Sequence, residues 1–222
     1  MEFKREEIIL HIPHAGTYIP ESCRDLFYPE VDLEKELFRM TDWYTDRIFD
    51  LPFEKIVFPY SRLVCDVERF RNDADEVMAA RGMGVCYEKT SDLMPLKRVT
   101  EKHRREMLHL YDEHHRRLTE AVRRNLDTFG KCLIIDCHSF AARRLPYEDE
   151  STMIRPDICI GTDPFHTPKE LEEQLVASFQ RKRFTVTVNM PFSGTIVPME
   201  YYGRESSVMS VMIEVNRGLY LR

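Results

Sequence analysis

Short apolar runs alternate with longer amphipathic stretches along the chain. Six runs predict strands because each is largely apolar and ends in polar residues, glycine or proline: EIILHIPHAG, KIVFPYSRLVCDVE, CLIIDCHS, PDICIGTD, FTVTVN and SVMSVMIEVN. Three stretches between them carry a helical pattern: residues 32–49, 95–129 and 168–183. Strands that alternate with helices predict a three-layer α/β/α fold around a mixed, mostly parallel central sheet.

Length and composition are typical of one soluble globular domain. The 222 residues contain 43% hydrophobic and 32% charged side chains, without an internal repeat or a low-complexity linker. We therefore expect a single domain over residues 1–222. No apolar run approaches the about 20 residues that span a bilayer, and the opening MEFKREEIIL does not resemble a signal peptide. A cytoplasmic location without a membrane partner is expected.

Charge and cysteine content narrow the range of partners. The formal net charge of -6 disfavours nucleic acid, and the locally basic residues 102–124 are interpreted as the solvated face of a helix. Six cysteines without a C-x-x-C pair indicate reduced structural thiols. The expected partner is therefore a small molecule, and the sequence leaves the oligomeric state open.

Polar residues follow three of the predicted strands directly. These strands cover residues 8–12, 133–135 and 208–213. They lead into His14, His138 and Glu214, respectively. Because ligands of open α/β sheets bind beyond the carboxyl ends of the strands, we expect these three side chains at one edge of the sheet.

Two histidines and a carboxylate form the smallest open ligand set for catalytic zinc. A metal-activated water and a carboxylate that moves its proton are sufficient to hydrolyse an amide. The alternative for His14 and His138 is a structural role at the strand ends. The chain has no H-E-x-x-H, G-x-S-x-G or G-x-x-x-x-G-K motif. A nucleophilic Cys137 is disfavoured because neighbouring strand residues point to opposite faces of the sheet.

Seven segments, in order along almost the whole chain, carry a resemblance to a known family: PHAGTYIP, TDWYTDRIFD, SRLVCDVERF, LIIDCHSF, RPDICIGT, PFSGTIVP and IEVNRGLYL. In these segments the chain resembles the N-formylglutamate amidohydrolases. The resemblance implies a phosphorylase/hydrolase-like fold related to the zinc carboxypeptidases. It also implies one divalent metal ion, for which Zn²⁺ is the first candidate, although iron, cobalt and manganese accept similar ligands.

The resemblance implies three metal ligands. The segments IPHAGT and IIDCHS place two of them at His14 and His138. Carboxypeptidases have a glutamate ligand three residues after the first histidine, where this chain has Thr17. In the family that the chain resembles, an aspartate of the segment TDWYTD supplies this carboxylate, so the resemblance implies Asp42 as the third ligand. The alternative reading of Asp42 is an acid that caps the following helix.

The same resemblance assigns the general base and part of a substrate-binding loop. Glu214 is the expected general base, and the alternative is an acid paired with Arg217. Ser193 and Gly194 are expected to let backbone N–H groups approach a substrate. Asn216 and Arg217 follow the base closely enough to contact a substrate.

Charged and imidazole groups complete the predicted substrate site. Arg62 and Arg69 are expected to form a clamp for a carboxylate, or else to pair with neighbouring acids. Glu68 stands where the family's D-x-N-R pattern usually has asparagine, and a carboxylate there disfavours an acidic substrate. Most histidines of residues 102–124 are interpreted as surface residues, whereas His115 is expected to point into the cleft.

These observations predict a metal-dependent amidohydrolase that cleaves an N-formyl or N-acyl amino acid, such as N-formylglutamate, into an acid and a free amine. Two alternatives remain at the level of the sequence. One is a metallopeptidase or amidase with another N-acyl or peptide substrate. The other is a non-catalytic binding module on the same fold.

Overall fold

A computed structural model describes residues 2–148, 153 and 155–221 of the chain. Its sheet has six strands in the order β2-β1-β3-β6-β4-β5. The strands are β1 Ile8–Ile12, β2 Glu54–Val57, β3 Cys132–Phe140, β4 Ile158–Gly161, β5 Val186–Val188 and β6 Val208–Asn216. The first three and β6 are mutually parallel, whereas β4 runs antiparallel to β6 and parallel to β5. The predicted mixed and mostly parallel sheet is confirmed.

The two central strands, β3 and β6, are longer than the sequence pattern predicts. They pair in register from Cys132 opposite Val208 to Phe140 opposite Asn216. The polar residues expected beyond the strand ends, including His138 and Glu214, therefore lie inside the strands. Pairing with a long neighbour keeps the polar positions extended because both backbones exchange hydrogen bonds along the whole ladder.

Helices cover both faces of the sheet. They are α1 Glu21–Arg24, α2 Leu33–Met40, α3 Thr45–Ile48, α4 Glu101–Phe129 and α5 Lys169–Arg181. On one face, α4 packs Leu118 and Val122 against the strands, and on the other α5 contributes Leu171. This arrangement is the predicted three-layer α/β/α architecture. None of the helices in the described part of the chain is long and apolar enough to cross a membrane.

Two predicted helices have different bounds in the structure. The helix predicted from residue 95 begins only at Glu101, because Thr100 caps it by accepting a hydrogen bond from the N–H of His103. The helix predicted for residues 32–49 is broken into α2 and α3. Tyr44, in the break, has a left-handed backbone with φ of 63°. This break turns Asp42 towards the sheet.

Residues 58–100 form a largely irregular layer over the carboxyl end of the sheet. The predicted strand KIVFPYSRLVCDVE is a strand only at Glu54–Val57. Beyond it the backbone turns, with the N–H of Val64 donating to the carbonyl of Ser61 at 2.9 Å. Buried apolar side chains such as Val64 and Tyr87 anchor this layer. It places polar residues of the chain directly above the strand ends.

Candidate active site and metal centre

A cavity of about 640 Å³ opens at the carboxyl ends of β1, β3 and β6. His14, Asp42, His138 and Glu214 all line it, and all four are buried. The structure therefore brings together the three predicted metal ligands and the predicted base, from four separate parts of the chain. This position agrees with the rule that α/β sheets bind ligands beyond their strand ends.

The predicted metal ligands are arranged around one carboxylate oxygen. Asp42 Oδ2 lies 3.2 Å from His138 Nδ1 and 3.7 Å from His14 Nδ1. The ligand atoms of the three residues lie within 4.8 Å of one another, and the two imidazole centroids are 5.0 Å apart. His14 Nδ1 is buried and has no hydrogen-bond partner. This set of two nitrogens and one oxygen fits a divalent cation such as zinc.

Each of the two histidines is held at its other nitrogen by a fully buried carboxylate. His14 Nε2 lies 2.8 Å from Asp66 Oδ1, and His138 Nε2 lies 3.0 Å from Asp136 Oδ1. Metal-binding histidines commonly have such a carboxylate partner, which fixes the tautomer and the direction of the ring. The arrangement leaves both Nδ1 atoms directed towards Asp42.

Local backbone contacts position Asp42 and His14 relative to each other. The N–H of Asp42 donates to the carbonyl of His14 at 3.0 Å, and the N–H of Ser139 donates to Asp42 Oδ2 at 3.1 Å. Gly16 lets the backbone after β1 pack closely against that of Pro59 and Tyr60, because a Cβ there would lie 2.5 Å from the carbonyl oxygen of Tyr60. The Asp42 side chain thus contacts the sheet rather than capping α3.

The pKa values of this cluster reflect strong mutual attraction. Burial raises the pKa of Asp42, but hydrogen bonds and charges from His138 and His14 outweigh burial and hold it below its usual range. Burial lowers the pKa of His138, yet its contacts with Asp136 and Asp42 raise it well above its usual value. Without a metal, both ring nitrogens of His138 face carboxylates, which favours the protonated imidazole.

Glu214 lies on β6 directly opposite His138 on β3. Its Oε2 is buried without a hydrogen-bond partner. Burial raises the pKa of Glu214 to about 8, although the charge of His138 lowers it. In the described structure Glu214 and Arg217 form no ion pair within 4.0 Å, although the charge of Arg217 also lowers the pKa of Glu214.

A second buried cluster lies beneath the first. His11 Nδ1 is 2.9 Å from Asp136 Oδ1 and 3.0 Å from Glu68 Oε1, and His11 Nε2 is 2.8 Å from His114 Nε2. Burial lowers the pKa of His11, but its hydrogen bond to Asp136 and the nearby carboxylate of Glu68 raise it to about 9. Burial lowers the pKa of His114 to about 2. His11 is therefore a cation that donates on both sides, and His114 accepts.

The two arginines expected to clamp a carboxylate line the cavity but have partners within the protein. Arg62 donates to Asp66 Oδ2 through Nε and Nη2, at 3.2 and 2.7 Å. Arg69 donates through Nε to the carbonyl of Met83 at 3.1 Å, and its Nη2 lies 3.7 Å from Asp66 Oδ2. Both guanidinium groups thus share the charge of Asp66, as the alternative reading of the sequence expected.

The remaining predicted contacts divide into two groups. Ser193, Gly194 and His115 line the cavity, although His115 Nε2 is bonded to the carbonyl of Val67 at 2.9 Å. Asn216 does not line the cavity, and its prediction as a substrate contact is corrected. Its side chain donates to the carbonyl of Pro156 and accepts from the N–H of Gly218, both at 2.9 Å, so both ends are occupied.

Four residues that support the site were not predicted from the sequence: His11, Asp66, His114 and Asp136. For His11 and Asp136, the alternation of side chains along the strands could have shown that they face the site. His11 interrupts an apolar run, and Asp136 precedes His138 by two residues, so each shares a sheet face with the site. His114 is buried rather than on the surface, because it bonds to His11. Asp66 comes from an irregular segment whose position no periodicity indicates. Cys137 packs into the core of the opposite face, and burial raises its pKa.

Comparison with known proteins places these observations in a family. The family model for N-formylglutamate amidohydrolase matches residues 6–221. None of the curated proteins compared with the chain matches it. The crystal structure of the N-formylglutamate amidohydrolase from Ralstonia eutropha is similar, with a TM-score of 0.81, 19% identity, and coverage of 97% of this chain and 84% of that one.

A gene product from Agrobacterium tumefaciens is also similar in structure. Its TM-score is 0.70 at 19% identity, with 97% of this chain and 82% of that chain covered. At these identities the structural likeness concerns the fold, while the family model spans nearly all of the sequence. The chain therefore belongs to the N-formylglutamate amidohydrolase family.

Proposed function

We propose that the protein is a metal-dependent amidohydrolase that cleaves N-formyl or related N-acyl amino acids, such as N-formylglutamate, into a carboxylic acid and a free amine. The observation that carries this proposal is the buried group of His14, Asp42 and His138, with Glu214 on the neighbouring strand. Membership of the family supports the reaction class, and the cavity supports a small-molecule substrate.

His14 Nδ1, His138 Nδ1 and the Asp42 carboxylate are the proposed ligands of one divalent cation, with zinc as the first candidate. The unpartnered His14 Nδ1 and the carboxylates behind both rings fit this role. When bound, such a cation supplies Lewis acidity and positive charge to the site. The protein itself directs the ligands, keeps them buried and positions the base.

Glu214 is the proposed general base. Its carboxylate takes a proton from the attacking water and then gives that proton to the leaving nitrogen, so water is added across the C–N bond. In the metal-free protein burial raises its pKa to about 8, and the positive charge of a bound cation would favour the carboxylate form, which accepts the proton. Ser193 and Gly194 offer a small, close surface for the substrate backbone.

Metal analysis and formate release together test the proposal. Purified protein is expected to carry about one zinc per chain, by analogy with open three-ligand sites, and to release formate from N-formyl-L-glutamate. Removal of the metal with a chelator is expected to abolish turnover, and added zinc to restore it. A zinc-loaded protein that hydrolyses only other N-acyl compounds or peptides would move the assignment to the amidase alternative. Absence of both metal and metal-dependent stabilisation would favour a binding module.

A further inference from the structure

Arg217 is a buried cation with an unused donor at the edge of the cavity. It follows β6 and begins a short 3₁₀ turn, and its side chain is 7% exposed. Its Nη1 donates to the carbonyls of Arg39 and Thr41, both at 2.8 Å. Its Nε is buried and has no hydrogen-bond partner.

Arg217 forms no ion pair in the described part of the chain, and the acid on which its charge acts is Glu214, whose pKa it lowers. No carboxylate there lies within 4.0 Å of its guanidinium, in contrast to Arg62, which is paired with Asp66 at 2.7 Å. Neutral carbonyls orient the group without cancelling its charge. A buried charge is costly unless a counter-ion accompanies it, so this position favours a bound anion.

The neighbours of Arg217 indicate which anion it meets. The carbonyl of Thr41 that holds its Nη1 belongs to the residue before Asp42, a proposed metal ligand. Arg217 is also three residues beyond Glu214, the proposed base. In an N-acyl amino acid the α-carboxylate stands on the carbon bonded to the scissile nitrogen, and it is therefore the anionic group nearest to the reacting bond.

We propose that Arg217 binds the α-carboxylate of the substrate and so restricts the enzyme to N-acyl amino acids with a free α-carboxylate. This inference rests on the function proposed above. A planar guanidinium with free N–H groups matches a carboxylate better than an ammonium group does. Arg62 and Arg69 share their charges with Asp66, so in this proposal they line the cavity and do not bind the α-carboxylate.

Two substrates that differ only in the α-carboxyl group test the proposal: N-formyl-L-glutamate, with a free α-carboxylate, and N-formyl-L-isoglutamine, in which this group is an amide. In the wild type, kcat/KM for the acid is expected to exceed that for the amide by about 100-fold. Arg217→Gln is expected to lower kcat/KM for the acid by about 30-fold to 1,000-fold and to change that for the amide less than about 3-fold. Arg217→Lys keeps the charge but not the planar pair of donors, so its kcat/KM for the acid is expected to lie between those of the wild type and Arg217→Gln.

Arg117→Gln is the matched control, because Arg117 is exposed on α4 and has no ion pair in the described residues. It is expected to leave both values unchanged. Equal losses for the acid and the amide in Arg217→Gln would overturn the proposal and reduce Arg217 to a support for the Asp42 segment. If Arg217→Gln does not fold, the same comparison of the two substrates is decided with Arg217→Lys.

Calorimetric binding separates this inference from the proposed function. In zinc-loaded Glu214→Gln protein, adding Arg217→Gln is expected to weaken binding of N-formyl-L-glutamate by about 30-fold or more, without weakening binding of the amide. Unchanged binding of the acid would overturn the role of Arg217 even if hydrolysis is observed. Wild-type protein that binds N-formyl-L-glutamate but releases no formate would overturn the proposed function while leaving Arg217 its role.

Discussion

Asp136→Asn tests whether the carboxylate behind His138 supports a metal site. Asp136 Oδ1 accepts from His138 Nε2 at 3.0 Å and from His11 Nδ1 at 2.9 Å, and Oδ2 accepts from the N–H of Ile196 at 3.1 Å. An asparagine has almost the same shape, but one of its two ends is a donor. At least one N–H in this fully buried site must then face another donor, at a cost of about 1–3 kcal/mol to the metal-free protein.

The loss of zinc affinity can be estimated from the contacts of His138. Replacing the carboxylate partner of a metal-binding histidine typically weakens metal binding about 10-fold to 100-fold. At zinc about 1,000-fold above the wild-type Kd, the wild type gains about 4 kcal/mol and Asp136→Asn about 1.4–2.7 kcal/mol. For a chain of this size, each kcal/mol shifts Tm by about 2–4 °C. The zinc-dependent rise in Tm should therefore be about 3–11 °C smaller in the variant.

Scanning calorimetry or dye-based thermal unfolding, with and without zinc, measures this difference directly. Asp127→Asn is the matched control, because Asp127 is exposed on α4 and has no ion pair among the described residues. It should keep the full zinc-dependent rise in Tm. A rise in Asp136→Asn equal to that of the wild type would show that His138 binds no ion whose affinity depends on Asp136, and the metal site would have to be abandoned.

Three further predictions concern the base, the ligand protons and the turn after β1. Glu214→Gln should lower formate release at least about 100-fold while zinc content is unchanged, which metal analysis of the same sample checks. Because the pKa of His138 is raised, zinc must displace a proton from this histidine at neutral pH. The apparent zinc affinity should therefore rise up to about tenfold per pH unit in competition titrations between pH 6 and 8. A zinc affinity that does not change with pH would contradict this reasoning. Gly16→Ala should lower the free energy of unfolding by about 1–3 kcal/mol, measured by urea unfolding, because the new Cβ would meet the Tyr60 carbonyl oxygen at 2.5 Å. An unchanged unfolding midpoint would refute this steric argument.

The positions of His14, His138 and Glu214 could be predicted because they depend on local pattern and sheet direction. Apolar runs identify strands, and parallel neighbours bring their carboxyl ends to the same edge. The exact strand lengths could not be predicted in this way. The polar residues of β3 and β6 remain extended only because the two strands pair with each other, which is a contact between distant parts of the chain.

Asp42 and Asp66 show where prediction from sequence pattern ends. The helical pattern of residues 32–49 continues through Asp42, but hydrogen bonds to His14 and Ser139 break it. Only the family resemblance pointed to Asp42 as a ligand. Asp66 lies in an irregular segment whose path is set by packing against several other elements, and neither periodicity nor turn chemistry specifies that path.

Glu68 illustrates how the structure changes an argument made from charge alone. A carboxylate at this position of the cavity was expected to disfavour acidic substrates. In the structure Glu68 Oε1 lies 3.0 Å from His11 Nδ1, and the contacts of His11 with Asp136 and Glu68 keep it protonated, with a pKa of about 9. His11 is fully buried, so its charge is little screened by water. The charge of His11, which Glu68 shares with Asp136, thus offsets part of the negative charge of Glu68 and weakens its repulsion of a carboxylate bound at Arg217.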